Sequence, residues 1–275
     1  MFPFTAIRII DDCKRALHFS PLLSFAYDDA FACSVGHGKS LPILRAWIHR
    51  PAVVLGIQDG RLPYLEDGIR LLQNLNFSVI MRNSGGLAVL IDEGVLNLSL
   101  IVKEDQARSI DDGFRLMAGL IQRSLAPFAK EVAIREIAGS YCPGKYDLSI
   151  DGKKFAGLCQ RRIQGGAAIQ AYLCVSGSGA DRAGIIAEFY DTARKKTKTK
   201  IAYPSIAKET MASLSELTGK KLSPSTIWHG LLQTLKTLGI ELVANNVLTT
   251  NEQQAFQFYK ERIEERNEKL LSFLS

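Results

Sequence analysis

The stretch Tyr146-Asp-Leu-Ser-Ile150-Asp-Gly-Lys-Lys-Phe155-Ala-Gly-Leu-Cys159 decides the fold. Asp151-Gly152 separates two short apolar runs, and Asp-Gly is the strongest short-range hairpin signal because a type I′ turn needs positive φ at both central residues. Such a loop pairs Ile150 with Lys153, Ser149 with Lys154 and Leu148 with Phe155. Side chains alternate across a strand. Lys154 is therefore expected on one face with Asp147 and Ser149, while Tyr146, Leu148, Ile150 and Phe155 face a core. A lysine so placed projects either into a cleft or into solvent, and the pattern leaves both open.

Outward from the hairpin the same reading continues. Ala167 to Val175 reads as a further strand, and Ser178 with Asp181 opens a helix running to Ala193. Upstream, Ser109-Ile-Asp-Asp112 resembles a capping box, and Phe114, Met117, Ile121, Leu125 and Phe128 lay one apolar stripe on the helix behind it. In Val95 to Val102, Leu96, Leu98, Leu100 and Val102 alternate with Asn97 and Ser99, predicting a half-buried antiparallel strand. Phe77 to Arg82 and Leu87 to Ile91 are short strands joined by Arg82-Asn-Ser-Gly-Gly86. Leu65, Ile69 and Leu72 carry helical spacing, and Trp47 to Leu55 reads as strand interrupted at Pro51. Ser20-Pro21 caps a helix over Leu22 to Cys33 ending at Gly36, so a helix is expected to open the fold. The tail from Pro224 to Leu274 reads as two helices around Asn245 and Asn246. Hairpin-joined strands with helices segregated between them predict an α+β fold, a mixed, mostly antiparallel central sheet flanked by helices.

The composition suits one compact unit spanning residues 1–275. The chain has 275 residues, 47% of them hydrophobic, with 34 Lys+Arg against 28 Asp+Glu for a net charge of +6. Disordered, collagen-like and coiled-coil classes are excluded. Five cysteines without a CxxC pair, in a chain too long to need disulfides, predict reduced thiols and a cytoplasmic location. The apolar start is interrupted at Asp11 and Asp12, so no secretory signal is expected. Ile163 to Ala180, the longest uncharged stretch, is too rich in Gly, Gln and Ser for a lipid-exposed helix, which argues against a membrane partner.

Few motifs carry chemistry. Gly36-His37-Gly38-Lys39-Ser40 imitates the end of a phosphate loop, yet Cys33 stands where the first glycine belongs and a helix precedes it. A helix-ending turn is expected there. The four scattered histidines offer no metal set. Cys142 lies in Gly139-Ser-Tyr-Cys-Pro-Gly144, a run of turn formers, so its thiol is expected to be accessible. Cys33, Cys159 and Cys174 read as small buried hydrophobes. In Arg82-Asn-Ser-Gly-Gly86 the glycines let backbone N–H groups line up towards an acyl carbonyl or an anion, or simply close a hairpin. The basic run Arg194 to Lys200 could dock an acidic domain or end a helix in solvent. It lacks interleaved aromatics, so nucleic acid is a poor partner.

Together, Arg82-Asn-Ser-Gly-Gly-Leu-Ala-Val89, Asp92-Glu-Gly-Val-Leu-Asn-Leu-Ser99, Gly139-Ser-Tyr-Cys-Pro-Gly144 and Asp151-Gly-Lys-Lys-Phe-Ala-Gly157 resemble the biotin/lipoate protein ligase and lipoyl transferase family, over about residues 37–244, with helical extensions at either end. The likeness is nearest to its octanoyltransferase branch. It implies an acyltransferase of protein lipoylation that moves an octanoyl or lipoyl group from a lysine of the glycine-cleavage H protein to a lysine of the lipoyl domains of 2-oxoacid dehydrogenase complexes. It implies Cys142 as acyl acceptor and Lys154 as the residue that holds the acyl carbonyl and depresses the thiol pKa. Arg82, Ser84, Gly85 and Gly86 are the expected substrate-binding residues, and no cofactor is expected. Leu87, Leu90 and Ile91 stand where ATP-dependent lipoate ligases carry a third glycine and a tyrosine-histidine pair, which argues against adenylate formation. Alternatives are an octanoyltransferase fed by octanoyl-acyl carrier protein, an ATP-dependent lipoate ligase, and a lipoyl-domain binding module without chemistry.

Overall fold

The computed structural model describes residues 2–129 and 131–272. Its larger sheet has eight strands in the order β11 (Glu241–Ala244), β1 (Ala6–Asp11), β2 (Ile43–Trp47), β6 (Val95–Lys103), β10 (Gly166–Cys174), β9 (Lys153–Ile163), β8 (Leu148–Ile150) and β7 (Ala133–Ile134). β1 runs parallel to β11 and β2, and the remaining pairings are antiparallel. A smaller sheet places β3 (Ala52–Leu55) between β4 (Ser78–Met81) and β5 (Val89–Ile91). This is the expected α+β arrangement with a mixed, mostly antiparallel sheet.

One face of the large sheet is covered by α3 (Ile110–Leu125) and α6 (Pro224–Thr237). Ser109 caps α3 reciprocally with Asp112. Met117, Ile121 and Leu125 are fully buried against Leu96, Leu98 and Leu100, each such side chain contributing about 1.5–3 kcal/mol. On the opposite face lie α1 (Pro21–Gly36) and α7 (Thr250–Leu271), and beside them the small sheet with α2 (Leu65–Asn74) and α4 (Gly179–Arg194). α5 (Leu214–Thr218) is a short turn of helix before α6. α1, wedged between the large sheet and α7, is buried nearly all round, Asp28 and Asp29 included. Among the described residues no helix is long and apolar enough to cross a membrane.

Four local expectations are corrected, and one is borne out and extended. A strand, β1, precedes α1, so a helix does not open the fold. β11 lies within the tail read as two helices, where among the described residues it pairs with a strand from the other end of the chain. The expected interruption at Pro51 is present, and it carries the chain from one sheet, ending at Trp47, to the other, which Leu55 joins. β6 is buried on both faces, because Asn97 and Ser99 point at α1 and Trp47 instead of at water: Ser99 Oγ donates to Asp28 Oδ2 at 2.6 Å, and Asn97 Nδ2 to Trp47 O at 3.4 Å. The loop Arg82–Gly86 closes no hairpin, since β4 and β5 flank β3.

The Asp151-Gly152 turn forms as expected, with φ of 49° and 75°. Ile150 pairs Lys153 and Ser149 pairs Lys154, but Leu148 faces Ala156, not Phe155. A β-bulge at Phe155 inserts one residue, and Phe155 and Ala156 both join the core under α3. The alternation therefore restarts. Beyond Lys154 the face opposite that core passes to the odd-numbered Gly157, Cys159 and Arg161.

Candidate active site

Between the two sheets runs a narrow slot with apolar walls, formed by Phe25, Trp47, Val54, Val89, Ile91 and Tyr172. Cys142, Lys154, Arg82 and Cys159 also line it. Two loops meet there, residues 82–88 and residues 139–144.

The glycine loop is held from within by Arg82, which is 3% exposed. Its Nε donates to Gly85 O at 3.0 Å, Nη1 to Val54 O at 3.2 Å and Nη2 to Leu87 O at 2.7 Å. Gly86 has φ of 96°, and a Cβ there would stand 2.9 Å from Cys142 Sγ and 2.6 Å from Arg82 Nη2. A side chain at that position would occupy the ground of the thiol. Tyr190 Oη accepts from Ala88 N–H at 3.0 Å and donates to Asp59 Oδ1 at 2.8 Å, while Asp59 Oδ2 accepts from Gly56 N–H at 2.8 Å. Burial pushes the Asp59 carboxyl up to about 6, against the hydrogen bonds from Gly56 and Tyr190. Asn83 Nδ2 donates to Asp29 Oδ2 at 2.8 Å, tying the loop to α1.

Cys142 sits at φ 45°, a left-handed conformation uncommon for a residue with a side chain. Lys154 secures it. The ammonium donates to Ser140 Oγ at 3.3 Å, Tyr141 O at 2.9 Å and Cys142 O at 2.8 Å, and pairs with Asp147 Oδ1 at 2.9 Å. Lys154 and Asp147 are each 1% exposed, so the lysine lies in the interior, not in solvent. Burial raises the Asp147 carboxyl above its ordinary range, while Lys154 and the amides of Gly144 and Ile137 act the other way. Tyr141, next to the cysteine, donates to Tyr172 Oη across the buried back of the loop.

The thiol faces the other loop. Leu87 N–H donates to Cys142 Sγ at 3.1 Å, and Arg82 Nη2 lies 4.0 Å from it. The lysine thus holds the cysteine's backbone and the glycine loop meets its sulfur. Ser84 Oγ contacts Cys159 Sγ at 3.5 Å, Cys159 Sγ donates to Gln170 Oε1 at 3.3 Å, and Gln170 Nε2 donates to Asp28 Oδ2 at 2.7 Å. Gly85 leaves open space beside its Cα.

The structure therefore brings Cys142, Lys154, Arg82, Ser84 and Gly86 together around one slot. Cys159, read as a small buried hydrophobe, lines the slot because of the bulge, and Cys33 is only partly buried, 3.5 Å from His37 Nδ1. Leu87, Tyr190 and Asp59 escaped the sequence reading. The first acts through its backbone, and the other two come from α4 and from the turn after β3, with no motif to mark them. The cysteines are all free thiols.

A buried lysine bracing a cysteine over a glycine loop, on this two-sheet frame, defines a class. The chain belongs to the lipoyl protein ligase A/B catalytic-domain family, whose profile matches residues 20–236. Within it, relatives named octanoyl-[GcvH]:protein N-octanoyltransferase are similar over nearly the whole chain. The Macrococcus caseolyticus protein is 48% identical over 250 residues, 91% of this chain and 90% of its own. That of Bacillus velezensis is 48% identical over 266 residues, covering 96% and 92%, and that of Staphylococcus aureus 45% identical over 252 residues, covering 91% and 90%. Among solved structures, lipoate-protein ligase A bound with ATP superposes with a TM-score of 0.72 at 20% identity, covering 94% of this chain and 95% of that one. A putative lipoate protein ligase from T. acidophilum with bound lipoic acid gives 0.70 at 19%, with the same coverage. At these identities the likeness concerns the fold.

Proposed function

We propose that this protein transfers an octanoyl group from a lysine of the glycine-cleavage H protein to a lysine of a lipoyl domain, through a thioester on Cys142 and without ATP. Two findings support the reading: the relatives that bear this activity in their names, and the Cys142 thiol lying against the Leu87 N–H at the end of an apolar slot. The second carries the mechanism. The thiolate is the nucleophile, and the Leu87 N–H donates to the sulfur that would carry its charge. Lys154, whose charge Asp147 balances, fixes the cysteine backbone. The sulfur attacks the carbonyl carbon of the octanoyl-lysine amide, and backbone N–H groups of the glycine loop take up the oxyanion. The C–N bond breaks, the proton given up by the thiol ends on the departing lysine amine, and a thioester remains. The acceptor lysine then attacks that thioester, its proton returns to sulfur, and a new amide forms. Donor and product are both lysine amides, so the exchange is near isoenergetic and reversible. The five free thiols suit a reducing cytoplasm.

Intact-protein mass spectrometry after mixing the enzyme with octanoylated H protein, without ATP, tests this. A hydroxylamine-labile octanoyl adduct is expected on the wild type, and none on Cys142→Ala, whose transfer rate should fall on the order of a thousandfold or more with its fold intact. Wild-type transfer by Cys142→Ala overturns the mechanism. An adduct formed only from octanoyl-acyl carrier protein reassigns the donor.

A further inference from the structure

Behind the glycine loop, on the far side of Asn83 from the thiol, lies a recess of about 110 Å³. Its floor is Asp29, Asn83 and Tyr259, and its rim is Arg161, Arg262 and Arg266. The recess continues the slot along β9. Cys159 lines the slot and Arg161, two residues on and on the same strand face, lines the recess.

The charges do not balance. Arg161 is committed to Asp29, with Nε 2.6 Å from Oδ1, and its Nη1 donates to Asn83 O at 3.3 Å. Arg262 and Arg266 stand one turn apart on α7, both exposed. Neither has a carboxylate within 4 Å among the described residues. The neighbouring Glu265 pairs with Lys269 at 2.6 Å, and Glu261 accepts from Gln257 at 2.8 Å. Three guanidiniums thus share one lining carboxylate, and the Oδ1 of Asn83, buried in the same wall, has no hydrogen-bond partner. Guanidinium forks match carboxylates and phosphates in planar, bidentate geometry.

Resting on the function proposed above, we infer that this recess binds a carboxylate of the acyl-carrying domain, an acidic side chain close in sequence to the acylated lysine. The reach fits. An acyl-lysine extended into the slot holds its own backbone roughly 6 Å from the amide, and Cys159 and Arg161 are about 6.6 Å apart along the strand. In this arrangement an Asp or Glu flanking that lysine is the group that meets the arginines while the amide meets Cys142. The contact also touches the machinery, because Asn83 belongs to the glycine loop and Arg161 bonds its carbonyl.

The test is the exposed double variant Arg262→Ala/Arg266→Ala in the full chain. Its KM for octanoylated carrier domain should rise about tenfold, its kcat should change little, and the salt dependence of kcat/KM should flatten. Against a minimal donor, Nε-octanoyl-lysine amide, its kcat/KM should fall at least severalfold less than against the carrier. Inorganic phosphate should bind the wild type in isothermal titration, compete with carrier in the assay, and do neither with the double variant. An unchanged carrier KM in a wild type that forms the Cys142 adduct overturns the inference and leaves the proposed function standing. Phosphate binding without any carrier effect makes the recess a free-anion site, which equally overturns it. Absence of any wild-type adduct, with phosphate still bound, would instead remove the proposed function and with it the carrier as occupant.

Discussion

The two loops that meet at the slot are held in opposite ways. The glycine loop is fastened at many points from many elements: Arg82 reaches three carbonyls, Tyr190 on α4 takes the Ala88 amide, and Asp29 on α1 takes Asn83. The Cys142 loop hangs largely on one buried ammonium, which gathers Ser140, Tyr141 and Cys142 and is itself neutralised by Asp147. One loop is fastened to several elements, and the other gathers chiefly on one ammonium–carboxylate pair, with Tyr141 to Tyr172 and Ala207 N–H to Gly139 O as lesser ties. The multiply fastened loop carries the N–H that meets the sulfur, and the loop gathered on the ammonium carries the sulfur, which in the proposed mechanism gains and loses one acyl carbon per turnover.

Lys154→Ala should have the largest effect. It strands Asp147 as a buried, unpaired carboxylate and frees three loop oxygens, so it should cost about 3–5 kcal/mol in chemical denaturation and largely remove adduct formation. Lys154→Ala/Asp147→Ala should regain part of the stability and none of the transfer. Wild-type transfer in both would show that the loop has other supports.

Asp59, under the glycine loop, should act more mildly and through pH. Its folded pKa of about 6 exceeds its ordinary 3.8, so between those values the folded protein binds more protons than the unfolded chain. Stability from this group is present at acid pH and is lost as pH rises through about 6, by up to about 3 kcal/mol. Asp59→Asn should lack that loss. The wild-type minus variant difference in unfolding free energy, measured from pH 4 to pH 7, should therefore decline and then level off. His49 opposes it, since burial lowers its pKa to about 3 from an ordinary 6.5 and its contribution is lost as pH falls. The difference against Asp59→Asn isolates the aspartate.

Smallest of all should be Tyr190→Phe, which removes the acceptor of the Ala88 N–H and the donor to Asp59 Oδ1 while Arg82 and Asp29 still hold the loop. About 1–2 kcal/mol of stability and a severalfold loss of transfer are expected. A loss as large as that of Lys154→Ala would refute the redundancy of the glycine loop.

Local chemistry made much of this legible in the sequence. Asp151-Gly152 specified its own turn, Ser109 and Asp112 their own cap, and Lys154 its proximity to Asp147, because each partner lies within a few residues. The hidden parts depend on distant partners. β6 read as half-buried because Asn97 and Ser99 are polar, and only Asp28 and Trp47, from α1 and β2, show why polarity is tolerated there. Cys159 reads as a small buried hydrophobe because it lies in an apolar, periodic segment. The single inserted residue at Phe155, which nothing in the local sequence announces, turns it towards the thiol.

The pairing of β1 with β11 has a bearing on how the protein is made. Ala6 lies opposite Glu241 and Ile9 opposite Ala244, with almost the whole chain between them. On the ribosome, β1 can gain β2 early, but its other row of amides and carbonyls must wait for nearly the last residues to emerge. Closing so long a loop is slow, and an open strand edge in the meantime is a template for pairing between nascent chains. Premature termination before residue 241 would leave that edge bare, so truncated products should be recognised by aggregation before any lack of activity is noticed.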